Sequence, residues 1–427
     1  MRWFREFATH GLWRDQGGNI AMLFALMLGV LFAFSALAVD GGHLYVMKSK
    51  LQRTADAAAL AAASRLPDES DARAQALEYA FKNMPVEQHG TTLVESDIDF
   101  GYWHPGTRSF VSGGAPVNAA MVTTRRSAAN GNPAGTYFAR LMGYDEVDVE
   151  TTSVAGRVSA VCILALDPDG ESAFFVENGT MIADGCAVRV NSDDPYALDV
   201  TSNGVMETLE TCVTGGTRIL GSVTPPPATG CPTVSDPLAD LAEPTVGGCD
   251  HTNMVLSAPN TYNLTEGVYC GGLEIKGQAN VHLAPGVYVM KDGPFTVTGQ
   301  ANVTGSGVTI FLTGNDAVVD MGGSGAITLS APTTGDLAGI LIFEDRNNLP
   351  LQSHSIRGGS NKSYSGVVYT PVGVVEYVGN GAGGGGTPYF IAWRFAMSGN
   401  GELNLTYDPA SGIPLPEVMT QKLAILQ

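Results

Sequence analysis

The sequence has no cysteine before Cys162, no Cys-x-x-Cys pair, and seven histidines that never fall into His-x-His or His-x-x-x-His spacing. Zinc ligands come in such short-spaced pairs, so no metal and no other cofactor is expected. Charge is scarce, at 15% of residues, and runs acidic: 23 Lys and Arg stand against 42 Asp and Glu, a net −19. An acidic surface does not hold nucleic acid. There is no Gly-x-Ser-x-Gly elbow, and the run GGSNKS at 358–363 lacks the Gly before Lys of a phosphate loop. Long hydrophobic runs are absent after residue 39, so one segment carries the whole membrane question.

That segment is 20–39 (IAMLFALMLGVLFAFSALAV), without a single charge. About 20 apolar residues cross a bilayer core of about 30 Å, which predicts one transmembrane helix with 1–19 as a short cytoplasmic tail. A cleaved secretory signal is the rival reading, since Ala36-Leu37-Ala38 has the small-x-small form. Against it, the run exceeds the usual signal core of about 7 to 15 residues, and helical sequence continues directly behind it. Arg2, Arg5 and Arg14 on one side are matched by Lys48, Lys50 and Arg53 on the other, so charge does not orient the span. The cysteines do. Cys162, Cys186, Cys212, Cys231, Cys249 and Cys270 all follow the span, and an even number in an exported body reads as disulfides in an oxidising space. Six cysteines leave 15 pairings open; the expectation is sequence neighbours, 162 with 186, 212 with 231 and 249 with 270.

The fold expected is α+β followed by all-β. An Ala-rich helix at 40–66 keeps small residues on one face and continues the span into a rod, with Gly41-Gly42 as a candidate hinge. Residues 67–156 read as a small α+β module, with a second helix at 71–84, strands at 92–100, 109–112, 118–125 and 147–154, and a short helix at 136–141. A long helix on a small sheet is a pilin-like plan. From 157 to 427 the chain is rich in glycine and repeats loosely: Gly277-Gln278-Ala279-Asn280 returns as Gly299-Gln300-Ala301-Asn302, and Gly-Val-Tyr occurs at 267 and 286. A period of about 20 to 25 residues with Gly/Asn corners predicts a β-solenoid, with a two-sheet sandwich as the alternative. Its inward positions would include Val281, Leu283, Val287, Val289, Val297, Val303, Val308, Ile310 and Leu312. The Pro-rich stretch 223–232 and the region 236–248 read as an excursion tied down by Cys231 and Cys249, and 379–387 (GNGAGGGGT) as a loop or corner.

The run from Gly17 through Ala63 resembles the N-terminal domain of TadG-like proteins of the tight-adherence (Flp) pilus assembly system. The resemblance rests on Val39, Asp40, Leu51, Gln52, Ala55, Asp56 and Ala57, which stand in the Val-Asp and Leu-Gln…Ala-Asp-Ala-Ala-Ala-Leu-Ala pattern of that family. It implies an inner-membrane protein facing the periplasm or cell surface, serving pilus biogenesis or attachment, with other tight-adherence components and surface glycans as partners. Related pseudopilins carry Glu in the fifth place after a processing Gly; here Leu23 follows Gly18 at that distance. The Asp-x-Ser-x-Ser metal loop of some relatives is missing, and Asp167-Pro168-Asp169 reads as a turn more readily than as a cation site.

Solenoids also serve as carbohydrate-active enzymes, so Asp316, Asp320, Glu344 and Asp345, with Arg346, Arg357 and Arg394, are the candidates of an enzyme reading. Glu344 and Asp345 are adjacent and would point to opposite faces of a strand. Tyr364, Tyr369, Tyr377, Tyr389 and Trp393 form either a glycan platform or strand packing. The balance favours an anchored protein that works structurally or by binding, with an envelope carbohydrate-active enzyme as the alternative.

Overall fold

The computed structural model describes residues 18–66, 68–104, 107–114, 117–379, 386–420 and 422–427. The expected tail, apart from its last two residues, and most of the 379–387 loop lie outside the described residues. The chain divides into two compact units, one made of 1–103, 110–157 and 423–427, the other of 104–109 and 158–422.

The first unit is built on α1 (Gly18–Ala63), 46 residues without a break and about 69 Å long at 1.5 Å per residue. Gly41 and Gly42 lie inside it, and a Cβ at either would meet nothing within 4 Å. The expected hinge is therefore continuous helix: the hydrogen-bond ladder carries through glycines that cost it about 1 kcal/mol each relative to alanine. Beyond the span, Leu51, Ala55, Ala58, Ala59 and Ala62 are fully buried on one face. α2 (Glu69–Asn83), capped by the Asp68 carboxylate, supplies Ala72, Ala76 and Ala80 to the same cluster. Alanine on both sides lets the backbones approach closely where the rod meets its domain.

The face that receives α1 is a five-stranded sheet. Its strands are β1 (Ile98–His104), β2 (Ser109–Ser112), β3 (Ala119–Arg126), then β4 (Ala134–Gly135) and β5 (Glu146–Val147) as a separate small hairpin, and β6 (Val149–Val158). The sheet order is β2, β1, β3, β6 and finally Lys422–Ile425, so the last strand of the chain completes the first unit's sheet. β3 pairs antiparallel with both neighbours. The strand expected at 92–100 begins only at Ile98, because a 3-10 turn occupies Glu95–Asp97.

The second unit is a parallel β-solenoid of about 11 coils, but its coils do not stack in sequence order. From one end, His251–Leu256 pairs with Gly267–Ile275, and the ladder continues through Gly286–Lys291, Val308–Thr313, Ile340–Glu344, Lys362–Gly379 and Pro388–Gly399. On the far side of Pro388–Gly399 come Val161–Ala165 and Phe174–Val190, then Leu198–Val213, then Thr217–Ile219 and Ser222–Thr224. The chain thus enters the stack in its middle, climbs to one end, crosses to the other end through residues 225–250, and climbs back until its last coil meets its first. An extended strap of 26 residues reaches up to about 90 Å, whereas about ten steps of roughly 4.8 Å span only about 48 Å. The crossing is within easy reach.

Coil on coil, like residues stack. Gly277 and Gly299 sit at φ +68° and +67°, corners that a side chain would strain. Beside them Gln278 donates to Gln300 at 3.1 Å and Asn302 to Asn280 at 2.9 Å. The repeat read in the sequence is therefore a ladder in space. Inside, Phe311 packs T-shaped on Phe343 at 5.3 Å, and Phe343 packs tilted on Tyr369 at 5.2 Å. The inward valines and leucines named above are buried, except Val287, which is half-buried because it faces the strap's groove.

Candidate functional site at the end of the membrane span

Asp40 is the first charged residue after the apolar segment and is only 7% exposed. Its carboxylate accepts three successive backbone N–H groups from a segment almost a hundred residues away: Tyr137 at 2.7 Å, Phe138 at 3.0 Å and Ala139 at 2.6 Å. Desolvation opposes the charge, yet the three amides outweigh it and hold the Asp40 carboxyl below its ordinary range. His43, one turn further along α1, sets its ring edge-on to Tyr137 at 5.0 Å.

The segment so held is an ordered finger. β4 and β5 close its neck, with Ala134 opposite Val147 and Gly135 opposite Glu146. Thr136 then bonds across it, its N–H to Asp145 O at 3.0 Å and its hydroxyl to Tyr144 O at 2.5 Å. The α-helix expected at 136–141 is replaced by a single 3-10 turn, Ala139–Met142, closed by Gly143 at φ +89°. Asp40 caps the start of this turn by taking its free N–H groups, a partner that no local pattern announces, and Gly143 in the left-handed region stops it after four residues. Arg126 braces the base by donating to Asn132 O and Pro133 O at 2.8 and 3.0 Å.

The other motif residues divide by role. Leu51 and Ala55 are buried, and the Leu51 carbonyl accepts the Thr124 hydroxyl of β3 at 3.0 Å. Gln52 donates to Asp56 at 2.8 Å and, at 3.4 Å, to the Thr152 carbonyl of β6. Ala57 is half-buried and Val39 is 48% exposed on the span. The motif is thus a seating pattern for the rod on its sheet, plus one clasp.

In the solenoid, the strap is pinned at intervals. Cys231 is bonded to Cys212 and Cys249 to Cys270, while Cys162 and Cys186 join adjacent coils. Between the two strap bridges, Asn191 exchanges two 2.8 Å bonds with Val234, and Tyr369 donates to Asp236 at 2.6 Å. Arg346 lies over the Phe343 and Tyr369 rings, pairs with Glu243 at 3.0 Å and donates to the Leu238 and Leu241 carbonyls. A groove of about 890 Å³ remains where residues 242–245 pass the coil flanks at 266–268, 285–289 and 332–337.

Most enzyme candidates turn out to be engaged in this framework. Glu344 and His354 are fully buried and bonded at 3.1 Å. Asp345 caps its own turn and accepts from Thr313. Arg394 pairs with Asp167 at 2.5 Å, and Asp167 is 1% exposed, while Pro168 and Asp169 of the same turn are exposed. Asp316 sits on an exposed turn at φ +56°, while Asp320 and Arg357 lie half-buried on strands. The glycan platform is not formed: Tyr364, Tyr369, Tyr377 and Tyr389 are at most 5% exposed, because alternation in these strands points them inward.

Family models match three stretches. One described as putative Flp pilus-assembly TadE/G-like covers 18–65, and one described as putative Tad-like Flp pilus-assembly covers 57–155. The chain is TadG-like over its N-terminal region. The two matches meet on α1, and together they take in Asp40 and the three amides it clasps. With the apolar stretch of α1, whose mean hydropathy reaches 2.5 over 18 residues, they make the TadG-like chain a membrane-anchored component of a tight-adherence system. A third model, described only as a domain of unknown function (DUF7305), covers 228–411, which is the strap from just before Cys231 and the whole second run of coils. No curated protein and no solved structure matches the chain.

Proposed function

We propose that this TadG-like protein acts structurally or by binding in pilus assembly or surface attachment, holding a rigid solenoid outside the inner membrane on a helical anchor. The observation that carries the reading is that Glu344, Asp345, Arg346 and Arg394, four of the seven charged candidates for a bond-breaking site, are engaged in internal contacts. Three disulfides support an oxidising, non-cytosolic location for the solenoid. Other pilus components are its partners in this reading, and the strap groove is the concave surface available to them. The test is a deletion strain complemented with the full chain or with a chain lacking 158–422. Loss of pili or of surface adhesion, restored only by the full chain, is the expected result. Normal piliation and adhesion without the gene would sink the proposal, and cleavage of neutral or uronate polysaccharides by the purified protein would replace it with the enzyme alternative.

A further inference from the structure

The finger clasped by Asp40 carries five large apolar side chains in eight residues, and all are exposed: Tyr137 58%, Phe138 43%, Leu141 81%, Met142 77% and Tyr144 64%. A continuous apolar patch of this kind on an ordered loop is unusual for a surface that meets only water. Its position tells what covers it. Asp40 follows the last residue of the 20-residue apolar span, and three hydrogen bonds fix the finger's backbone at that height on α1. Among Met22–Val39, Ala36 alone is half-buried and the rest are exposed. Ala36 lies one turn into the span on the Asp40 face, where a finger held at Asp40 would shield the helix. The composition fits a membrane interface as well: two tyrosines and a phenylalanine suit headgroup depth, Leu141 and Met142 suit the acyl boundary, and Arg140 between them can extend its charge toward lipid phosphate.

We infer that residues 137–144 form a second membrane contact, an interfacial finger that inserts beside the span on the side where the domain emerges. The occupant of the apolar patch is lipid, and the clasp by Asp40 sets the depth of insertion. A rod with one span is free to tilt and to rotate about its axis. A finger fixed to one of its faces removes both freedoms and so orients the domain above the bilayer.

The test uses the full chain in nanodiscs containing anionic and zwitterionic phospholipid. All six cysteines are in disulfides, so single cysteines at Leu141, Met142, Phe32 and Glu69 take spin labels specifically. Labels at Leu141 and Met142 are expected to be reached by oxygen and protected from a water-soluble nickel chelate, at a depth shallower than Phe32, while Glu69 shows the aqueous pattern. An aqueous pattern at Leu141 and Met142 with Phe32 still in lipid overturns the finger without touching the anchor. An aqueous pattern at Phe32 overturns the anchor itself. Protection from both reagents at Leu141, or dipolar coupling between two copies there, would assign the patch to a protein partner and also overturn the inference.

Discussion

The two units solve the same problem, holding an irregular segment in place, by opposite means. In the solenoid the strap is secured repeatedly, by two disulfides, an arginine with three strap partners and an Asp–Tyr bond, spread from one end of the stack toward the other. In the first unit, which has no cysteine, the finger depends on its own neck and on one carboxylate. Distributed ties tolerate the loss of any one, because each coil is also held by its neighbours. A single clasp does not, and that makes it suited to setting a position. The difference predicts that damage to the strap lowers stability, whereas damage to the clasp lowers order at one place.

The largest effect is expected from the strap bridges. They close loops with sequence separations of 19 and 21 residues, each worth about 3 kcal/mol by loop-closure entropy. Cys231→Ser with Cys249→Ser should lower the denaturant midpoint of the solenoid and expose residues 225–250 to protease, leaving the first unit's unfolding unchanged. An equal loss in both units would mean that they do not unfold independently. Next is Leu51→Ala in α1, expected to cost about 2–5 kcal/mol because the side chain is fully buried against Met47 and Met84. Ala58→Leu, an overpacking change, should cost about 1–3 kcal/mol. Denaturation of the first unit checks both, and insensitivity to Ala58→Leu would refute the close approach of helix and sheet.

Much of this was legible in the sequence, for physical reasons that also mark the limit. The span, the Ala face of the rod and the coil ladder are periodic, and a period survives in one dimension: Gly277–Asn280 and Gly299–Asn302 announce each other. The strap's course was not legible, because nothing local says that coil 161–165 stacks beside coil 388–399, more than two hundred residues later. The Asp40 clasp was hidden for the same reason. The Val-Asp motif flagged the residue, while its partners are backbone amides that any sequence at 137–139 would offer. The sequence left the tyrosines open between a glycan site and strand packing because burial depends on which face is inward, and the strands Lys362–Gly379 and Pro388–Gly399 turn all four to the core.

Arg346→Met keeps the stacking on Phe343 and Tyr369 but removes the charge-assisted bonds to the strap, each worth about 1.5–3 kcal/mol where well made. Faster proteolysis near Leu238–Glu243 is expected, with the coils themselves intact. A smaller, pH-dependent term comes from Lys362, which is 3% exposed and donates to the Gly323 and Gly325 carbonyls. Burial first, and Arg357 second, push its ammonium down to about 8. Between that value and its unfolded 10.5 the unfolded chain binds the extra proton, so this group makes the solenoid more stable as pH rises through the window. Lys362→Met should flatten that rise. Burial raises Tyr288 and Tyr377 to about 12, and their contribution falls above pH 10 in both proteins, so the difference between the two curves isolates the lysine.

The smallest change in global stability, and the sharpest test of the comparison, is Asp40→Ala. Leu51 and the buried alanines keep α1 on its sheet, so the unfolding midpoint of the first unit should barely move. The finger should nevertheless loosen: amide exchange at Tyr137, Phe138 and Ala139 rises, while that at β3 and β6 does not. Because the three amides hold the Asp40 carboxyl low, the clasp in the native protein is fully present above its unfolded value of 3.8 and is lost as pH falls through the lower folded value. Acid should therefore also loosen those three amides. If exchange instead rose across the whole first unit, Asp40 would be part of the domain's general stability, and the contrast between one clasp and many ties would fail.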